Sequence, residues 1–485
     1  MTTNSPPPPR FRASDSGTYC EYRVSVWWPT IIEDCVRDID IELEQLANSD
    51  VSERECLLQE GKVIRSRLES LHRDMLSKAP LKCFTDEECE VAGVPGSFNE
   101  YLTRYDKTAT WGNAEWLFLG IYMYRWVNVI FKTQKHEYWR TYDVFNRRKQ
   151  DSFKGSYQGV VELASRYSIL SKDLPKFDKT SKEDQRVLEI LFYEFLEASL
   201  WGNATDLSLL NMVTLEELRN IQGSEVRQES RSKIVINDLS KAWDLLISQD
   251  PQRQIRVDIV LDNSGFELYT DLMFAVFLLR SGLAHKCVLH GKDTPYMVSD
   301  VTPHDFDLLF EDLLNRKLFS TEGKTDSSDL YHLLDLAVRD MQSYIDAGKI
   351  VFKCERFWTT DLDFWNIDPT EERYGGAEVY RELLNSDLVI FKGDLNYRRL
   401  TGDRHWPRTT PWEVAIGPLA TSGLTILSLR TCKSDVIVGL PNGTDDRLGE
   451  LWEQDHPGKG SWWCCSGKWA VACFHDSKKN RNEKK

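Results

Sequence analysis

The rhythm of apolar and polar positions changes about halfway along this chain. Up to about residue 228 the apolar residues recur at helical spacing; after Lys233 they gather into short β-branched runs. In "PTIIEDCVRDIDIELEQLA" a proline stands at the start and Ile31, Ile32, Cys35, Val36 and Ile39 share one face, which predicts an amphipathic helix. "SERECLLQEGKVIRSRLESLHRDML" and "SKEDQRVLEILFYEFLEASLW" follow the same logic, with Ser181 and Asp184 placed as a capping pair. "WLFLGIYMYRWVNVIF", Trp116 to Phe131, is apolar nearly all round. It is short for a bilayer and carries Arg125 and Asn128 in its middle, which predicts a buried helix and no membrane partner.

The second half reads differently. "SKIVIND", "IRVDIVLDNSG", "SDLVIFKGDLNYRRL" and "LTILSLRTCK" each end in glycine or polar residues, and "HKCVLHGK" is a weaker fifth run. In the second of these, Ile255, Val257, Ile259 and Leu261 alternate with Arg256, Asp258 and Val260, the period of a pleated strand. Helical stretches separate most of the runs, so the pattern predicts right-handed crossovers, a mainly parallel sheet and helices on both faces. Ligands of such sheets collect at the carboxyl ends of the strands, near a switch point. The expected organisation is an unstructured proline-rich start (1–19), a helical domain (20–228), an α/β domain (229–476) and a charged, unstructured tail (477–485).

Composition narrows the function. Asp and Glu number 76 against 61 Lys and Arg, a formal charge of −15, which argues against a nucleic-acid partner. No apolar leader follows "MTTNSPPPPRFRASDSG", and the eleven scattered cysteines show no metal-site spacing. Both point to reduced thiols and a cytoplasmic protein; the lysine-rich tail is read as a fraying end, with nuclear access left open. Composition leaves the oligomeric state undecided. The sixteen tryptophans are read as core and interface packing, with Trp406 the one to follow.

The candidate chemistry sits at the strand ends. Asp262 and Asn263 offer hard oxygen ligands where "DIVLD" stops, and Asp300 in "YMVSDVTPHDF" arrives about one crossover later. Two Asp and one Asn suit a divalent ion such as Mg²⁺ or Mn²⁺, although helix N-capping alone explains most such pairs. A covalent aspartyl-phosphate needs an acid where Ser264 stands and is disfavoured. In "FKGDLNYRRLTGDRHW", Lys392, Arg398 and Arg399 bracket a Gly393 turn; with Asn396 they make an anion cradle, and Asp394 is placed to accept sugar hydroxyls. The alternative is a basic surface loop capped by Asp394. Arg430, Thr431 and Lys433 end another strand. His304-Asp305 could shuttle protons, but "TPHDFDLL" reads better as a proline-led, capped helix start.

"LWGNATDLSLL", "VLDNSGFELYTDL", "VSDVTPHDF", "SDLVIFKGDLNYRRLTGDR" and Arg-Thr-x-Lys at 430–433 together resemble the damage-control phosphatases. The resemblance is to the subfamily of acidic-residue methyltransferase-like proteins and spans about residues 20 to 475. It implies a helical N-terminal domain on a Rossmann-like α/β/α domain, and a Mn²⁺, Co²⁺ or Ni²⁺ ion (Mg²⁺ being possible). It also implies sugar phosphates such as fructose 1-phosphate and fructose 6-phosphate as small-molecule substrates. By motif, Asp262, Asn263 and Asp300 would hold the metal and carry the catalysis, and Glu267 would line the pocket. Asp394, Leu395, Asn396, Tyr397 and Arg398 would surround the substrate, and Lys433 would bind phosphate. Some relatives are described as protein-glutamate methyltransferases using S-adenosylmethionine; the lack of a G-x-G-x-G loop after any strand weighs against that alternative.

Overall fold

A computed structural model describes residues 6–202, 232–250, 252–315 and 328–477. Its frame is a seven-stranded sheet: β1 (Ile234–Asn237), β2 (Arg256–Val260), β3 (Lys286–Gly291), β4 (Ile350–Cys354), β5 (Leu388–Lys392), β6 (Thr425–Thr431) and β7 (Ala470–Asp476). The order is β1-β7-β6-β5-β2-β3-β4. From β6 to β4 all neighbours are parallel, β7 runs antiparallel to β6, and β1 runs parallel to β7. The mainly parallel sheet predicted from the β-branched runs is therefore present, with β4 and β7 added.

The sheet divides two cores by strand parity. Val257, Ile259, Leu261, Leu388, Ile390, Leu427 and Leu429 face one core, which the helices Tyr157–Leu170, Lys182–Trp201 and Phe266–Arg280 complete. Val260, Val389, Phe391 and Ile426 face the other, built on the helices Trp28–Ala47, Arg54–Leu76 and Trp116–Lys132. The N-terminal helices thus supply both faces, because each sheet surface of β-branched residues needs an apolar cover. The switch from helices to alternating strands falls where the pattern changes; the 228/229 boundary itself, and most of the "LWGNATDLSLL" motif, lie outside the described residues.

The apolar segment at Trp116 is a buried helix, as its polar centre predicted. Arg125 donates to Thr359 O (2.8 Å) and Oγ1 (2.9 Å), and Asn128 Nδ2 donates to Pro295 O at 2.9 Å. Among the described residues no helix is long and apolar enough to cross a membrane. All eleven cysteines are free.

The proline-rich start departs from expectation. Phe11 N–H donates to Asp403 O (3.0 Å), Trp116 N–H to Phe11 O (2.8 Å), Ala13 N–H to Ala114 O (2.9 Å) and His405 N–H to Pro9 O (3.0 Å). Phe11 and Ala13 are buried. The segment forms no ladder of its own, but its prolines already restrict the backbone, so docking it costs less chain entropy, and its partners lie far away in sequence. At the other end Ser477 is buried and donates to Leu424 O at 2.6 Å; the remaining tail residues lie outside those described.

Beneath β2 and β3 lies a buried ionic chain. Arg256 forks onto Asp258 (2.7 Å to each oxygen), and His290 Nε2 meets Asp258 Oδ2 at 2.9 Å and, through Nδ1, Glu355 at 3.3 Å. Burial pushes the His290 pKa down, but Asp258 and Glu355 more than offset it, and the net shift is upward from 6.5. Burial likewise raises Asp258, and His290 and Arg256 reverse it to a net lowering from 3.8. The His290 contribution to stability is therefore complete below 6.5 and lost as pH rises through its folded pKa; that of Asp258 is present above 3.8 and lost on acidification. Urea midpoints measured between pH 6 and 9 should fall with rising pH, and fall less in His290→Gln.

Candidate metal and phosphate site

β2 lies between β3 and β5, and the chain passes to β3 on one side and returns to β5 on the other, so the strand order reverses beside the end of β2. A parallel sheet opens a crevice at such a point. Asp262 and Asn263 emerge there, and the segment 262–264 runs antiparallel to 299–301. Asn263 bridges Asp300, Ser264 N–H donates to Ser299 O (2.7 Å), and Val301 N–H donates to Asp262 O (3.0 Å). Met297 and Val298 just before have φ of 46° and 73°. A β-branched residue in the left-handed region is costly, and here the strain turns the chain so that Asp300 comes back against β2.

Neither member of the pair caps the following helix. The helix Phe266–Arg280 starts after Gly265 with no side-chain cap bond, so the N-cap alternative is excluded. Asn263 Nδ2 instead donates to Asp262 Oδ2 and to Glu267 Oε2, both at 2.8 Å. Its Oδ1 accepts from Ser299 Oγ. The amide is thus held with its nitrogen toward the carboxylates and its oxygen away from them. Glu267 is itself 3.2 Å from Lys392 Nζ, which also binds Asp271 (2.6 Å) and Ser199 O (2.7 Å).

Electrostatics set this corner apart. Burial, then Glu267 and Asp300, push the Asp262 pKa well above the carboxylate range, with Lys433 and Lys292 opposing. Burial pushes Asp300 up to about 6 against the pull of Lys292. Asp300 Oδ2 is buried without a hydrogen bond, 3.3 Å from Lys292 Nζ, whose own hydrogen bond goes to Leu261 O at 2.7 Å. Two crowded, desolvated carboxylates with one unsatisfied oxygen are a set of hard donors short of positive charge. Among the described residues no three His, Cys, Asp or Glu side chains gather to hold an ion; a cation here would rest on two carboxylates and the Asn263 amide.

The cradle segment is buried, which excludes a surface loop. Gly393 has φ +86°, and a Cβ on it would fall 2.0 Å from Asp262 Oδ2. Only glycine lets β5 end this close to the β2 carboxylate. Asp394 Oδ1 accepts from Arg430 Nε (2.8 Å), Lys433 N–H (3.0 Å) and Ser434 Oγ (3.0 Å). Burial raises the Asp394 pKa, but Arg430 and Arg398 outweigh it and the net shift is downward.

A cavity of about 180 Å³ joins these elements. Its sheet-side wall holds Asp262, Asn263, Asp300, Asp394, Leu395, Arg398 and Lys433; Arg23, Trp28, Trp116, Gly120, Tyr124 and Met297 close it from elsewhere. Three expected substrate residues stand behind this surface. Asn396 Nδ2 donates to Lys392 O (2.7 Å) and Val260 O (3.3 Å), tying β5 to β2. Tyr397 accepts from Val438 N–H at 3.0 Å and stacks on Trp412. Glu267 acts through Asn263. Arg398 does line the cavity, but it forks onto Asp403 (3.0 and 2.8 Å) and lies 3.7 Å from the Trp116 ring.

Two cradle cations are elsewhere. Lys392 shares its strand face with Leu388 and Ile390, and that parity carries it to Asp271 on the far side of the sheet. Arg399 donates to the carbonyl oxygens of Trp358 and Leu362. Trp406 donates to Thr401 O and stays out of the cavity, where Trp28 and Trp116 are the tryptophans present. Thr302 and Asp305 form a reciprocal capping box with Pro303 in the first turn, as "TPHDF" predicted.

The family model for the "Damage-control phosphatase ARMT1-like domain" matches residues 25–448. "Damage-control phosphatase ARMT1" of Homo sapiens is 33% identical over 377 residues, 76% of each chain. The protein of the same name from Bos taurus is 30% identical over 479 residues, 96% of this chain and 98% of its own. Among solved structures, a DUF89 family protein of Pyrococcus horikoshii is 14% identical, covering 88% of this chain and 99% of its own, with a TM-score of 0.35.

The contact between Gly393 and Asp262 makes a direct prediction. Gly393→Ala combines a left-handed φ with a collision against a buried carboxylate, so it should cost at least about 1–3 kcal/mol in urea unfolding. An unchanged midpoint would mean that β5 does not end against Asp262.

Proposed function

The chain belongs to the ARMT1-like damage-control phosphatase family, and we propose that this metabolite-repair phosphatase hydrolyses sugar phosphates such as fructose 1-phosphate and fructose 6-phosphate in the cavity between β2 and β5. The observation that carries this reading is that Asp262, Asn263 and Asp300 share one cavity with Lys433 and Asp394. The family implies a divalent metal, and the donor set fits one: burial pushes both Asp262 and Asp300 upward, with Glu267 adding to each, and a cation between them would favour their charged forms. Mn²⁺, Co²⁺ or Ni²⁺ is proposed, with Mg²⁺ compatible with the same oxygens.

Each side chain then has a distinct task. Asp262, Asn263 and Asp300 hold the ion, which when bound polarises the phosphoryl group and orients a water for attack. Glu267 holds the Asn263 amide nitrogen and Ser299 its oxygen, so presenting that oxygen to the ion requires the amide to turn over. Lys433 neutralises charge on the equatorial phosphoryl oxygens as the ester bond breaks. Asp394 stays ionised and, with its Oδ1 committed to Arg430, Lys433 and Ser434, accepts sugar hydroxyls through Oδ2. Trp28, Trp116 and Tyr124 exclude bulk water around the sugar. Asn396, Tyr397 and Arg398 position the helix that carries Asp394. No observation favours the methyltransferase alternative.

Phosphate release from fructose 1-phosphate and fructose 6-phosphate should be abolished by chelator and restored by Mn²⁺, Co²⁺ or Ni²⁺. Asp262→Ala should lose at least about a hundredfold in rate while keeping the parent's circular dichroism. Parent-like turnover in that variant would remove the metal assignment. Lys433→Ala should raise KM and lower kcat together.

Calorimetric unfolding gives a check independent of turnover. Metal-free Asp262→Asn should unfold at a higher temperature than the metal-free parent, because a buried like charge has gone. Mn²⁺ at about a hundredfold over its Kd should stabilise the parent by about 2.7 kcal/mol and the variant by little.

A further inference from the structure

The wall of the cavity opposite the strand ends comes from the N-terminal segment, and it brings a cation to which no role has been given. Three cationic side chains line the cavity: Arg23, Arg398 and Lys433. Arg398 is committed to Asp403 and Trp116. No carboxylate pairs with Arg23 or Lys433 among the described residues; the Arg23 guanidinium lies 4.8 Å from the Trp27 ring and 5.8 Å from that of Tyr19. Aromatic faces hold a guanidinium in place without neutralising it.

One loop places both of these cations. Lys433 N–H is tied to Asp394 at 3.0 Å. Two residues on, Asp435 accepts from Tyr19 N–H (3.0 Å) and Cys20 N–H (2.9 Å), capping the first turn of the N-terminal helix. Directly after that turn the chain widens into a π-helical stretch, Arg23–Trp27, before the helix Trp28–Ala47. Such wide turns recur at functional sites. The loop carrying Lys433 therefore fixes where Arg23 stands.

A phosphate ester dianion leaving water needs more positive charge than one lysine supplies, and a guanidinium can grip two of its oxygens at once. We propose that Arg23 is a second phosphate-binding side chain of this site, reaching the phosphoryl oxygens from the helical wall while Lys433 holds them from the strand ends, with Asp435 as a positioning residue. The proposal rests on the phosphatase reading of the same cavity.

The test uses the full-length chain with Mn²⁺ present. Inorganic phosphate is titrated calorimetrically into the parent, Arg23→Met, Arg23→Lys and Asp435→Asn, and steady-state constants are measured on fructose 1-phosphate. Arg23→Met should weaken phosphate binding and raise KM by about tenfold or more, with kcat changing far less. Arg23→Lys should recover part of the loss, and Asp435→Asn should move KM in the same direction. Arg23 is only partly buried, so both Arg23 variants should keep the parent's unfolding temperature. Parent-like phosphate affinity and KM in Arg23→Met would overturn the proposal. If the parent released phosphate from no sugar ester, the functional reading would fall, and the phosphate titration would still decide the role of Arg23.

Discussion

At the centre of this molecule a backbone passes so close to a carboxylate that no side chain fits between them. The end of β5 reaches Asp262 at the end of β2 only because residue 393 is glycine. That approach brings together two segments far apart in sequence, one with hard oxygen donors and one with the groups that hold Asp394. Asn396 reinforces it by bonding back to the β2 carbonyl groups. The sheet supplies the strand order that makes the crevice; glycine makes it narrow.

The same closeness creates an electrostatic problem, which the fold solves unevenly. On one side of the sheet Lys392 binds Glu267 and Asp271, although burial still pushes Asp271 up to about 6 and leaves its Oδ2 without a hydrogen bond. On the other Lys292 alone stands near Asp300. The carboxylates at the strand ends are left crowded and short of charge, at a cost to the unliganded protein. Stability given up at the place of chemistry is a common arrangement in enzymes.

Much of this was legible in the order of residues. The alternation of Ile255, Val257, Ile259 and Leu261 gave β2 and its buried face, and the polar residues following each run gave the rim. β4 and β7 were missed for different reasons: β4 is a half-buried edge strand, and in β7 Ala470, Ala472, Cys473 and Asp476 dilute the β signal of Val471 and Phe474. Lys392 was misplaced although its parity with Leu388 and Ile390 already pointed to the far side of the sheet. Arg399, also expected in the cradle, turns instead to the carbonyl groups of an irregular loop, which leave no pattern in sequence. The walls formed by Trp28, Trp116 and Arg23 were hidden because apolar and cationic residues on a helix read as packing or solvated surface until the facing strand ends are known.

The proline-rich strap has a consequence in time. Phe11 bonds to Asp403 and to Trp116, the two residues that clamp Arg398, and the turn after it is capped by Asp435 across 416 positions. The strap's partners fall in two groups, Ala114 and Trp116 about a hundred residues on, and Asp403, His405 and Asp435 about four hundred residues on. The strap can meet the first group early, but its contacts with the second wait for those distant segments. Closing the pocket therefore depends on contacts of very large sequence separation, the kind whose loop-closure cost makes them slow to form.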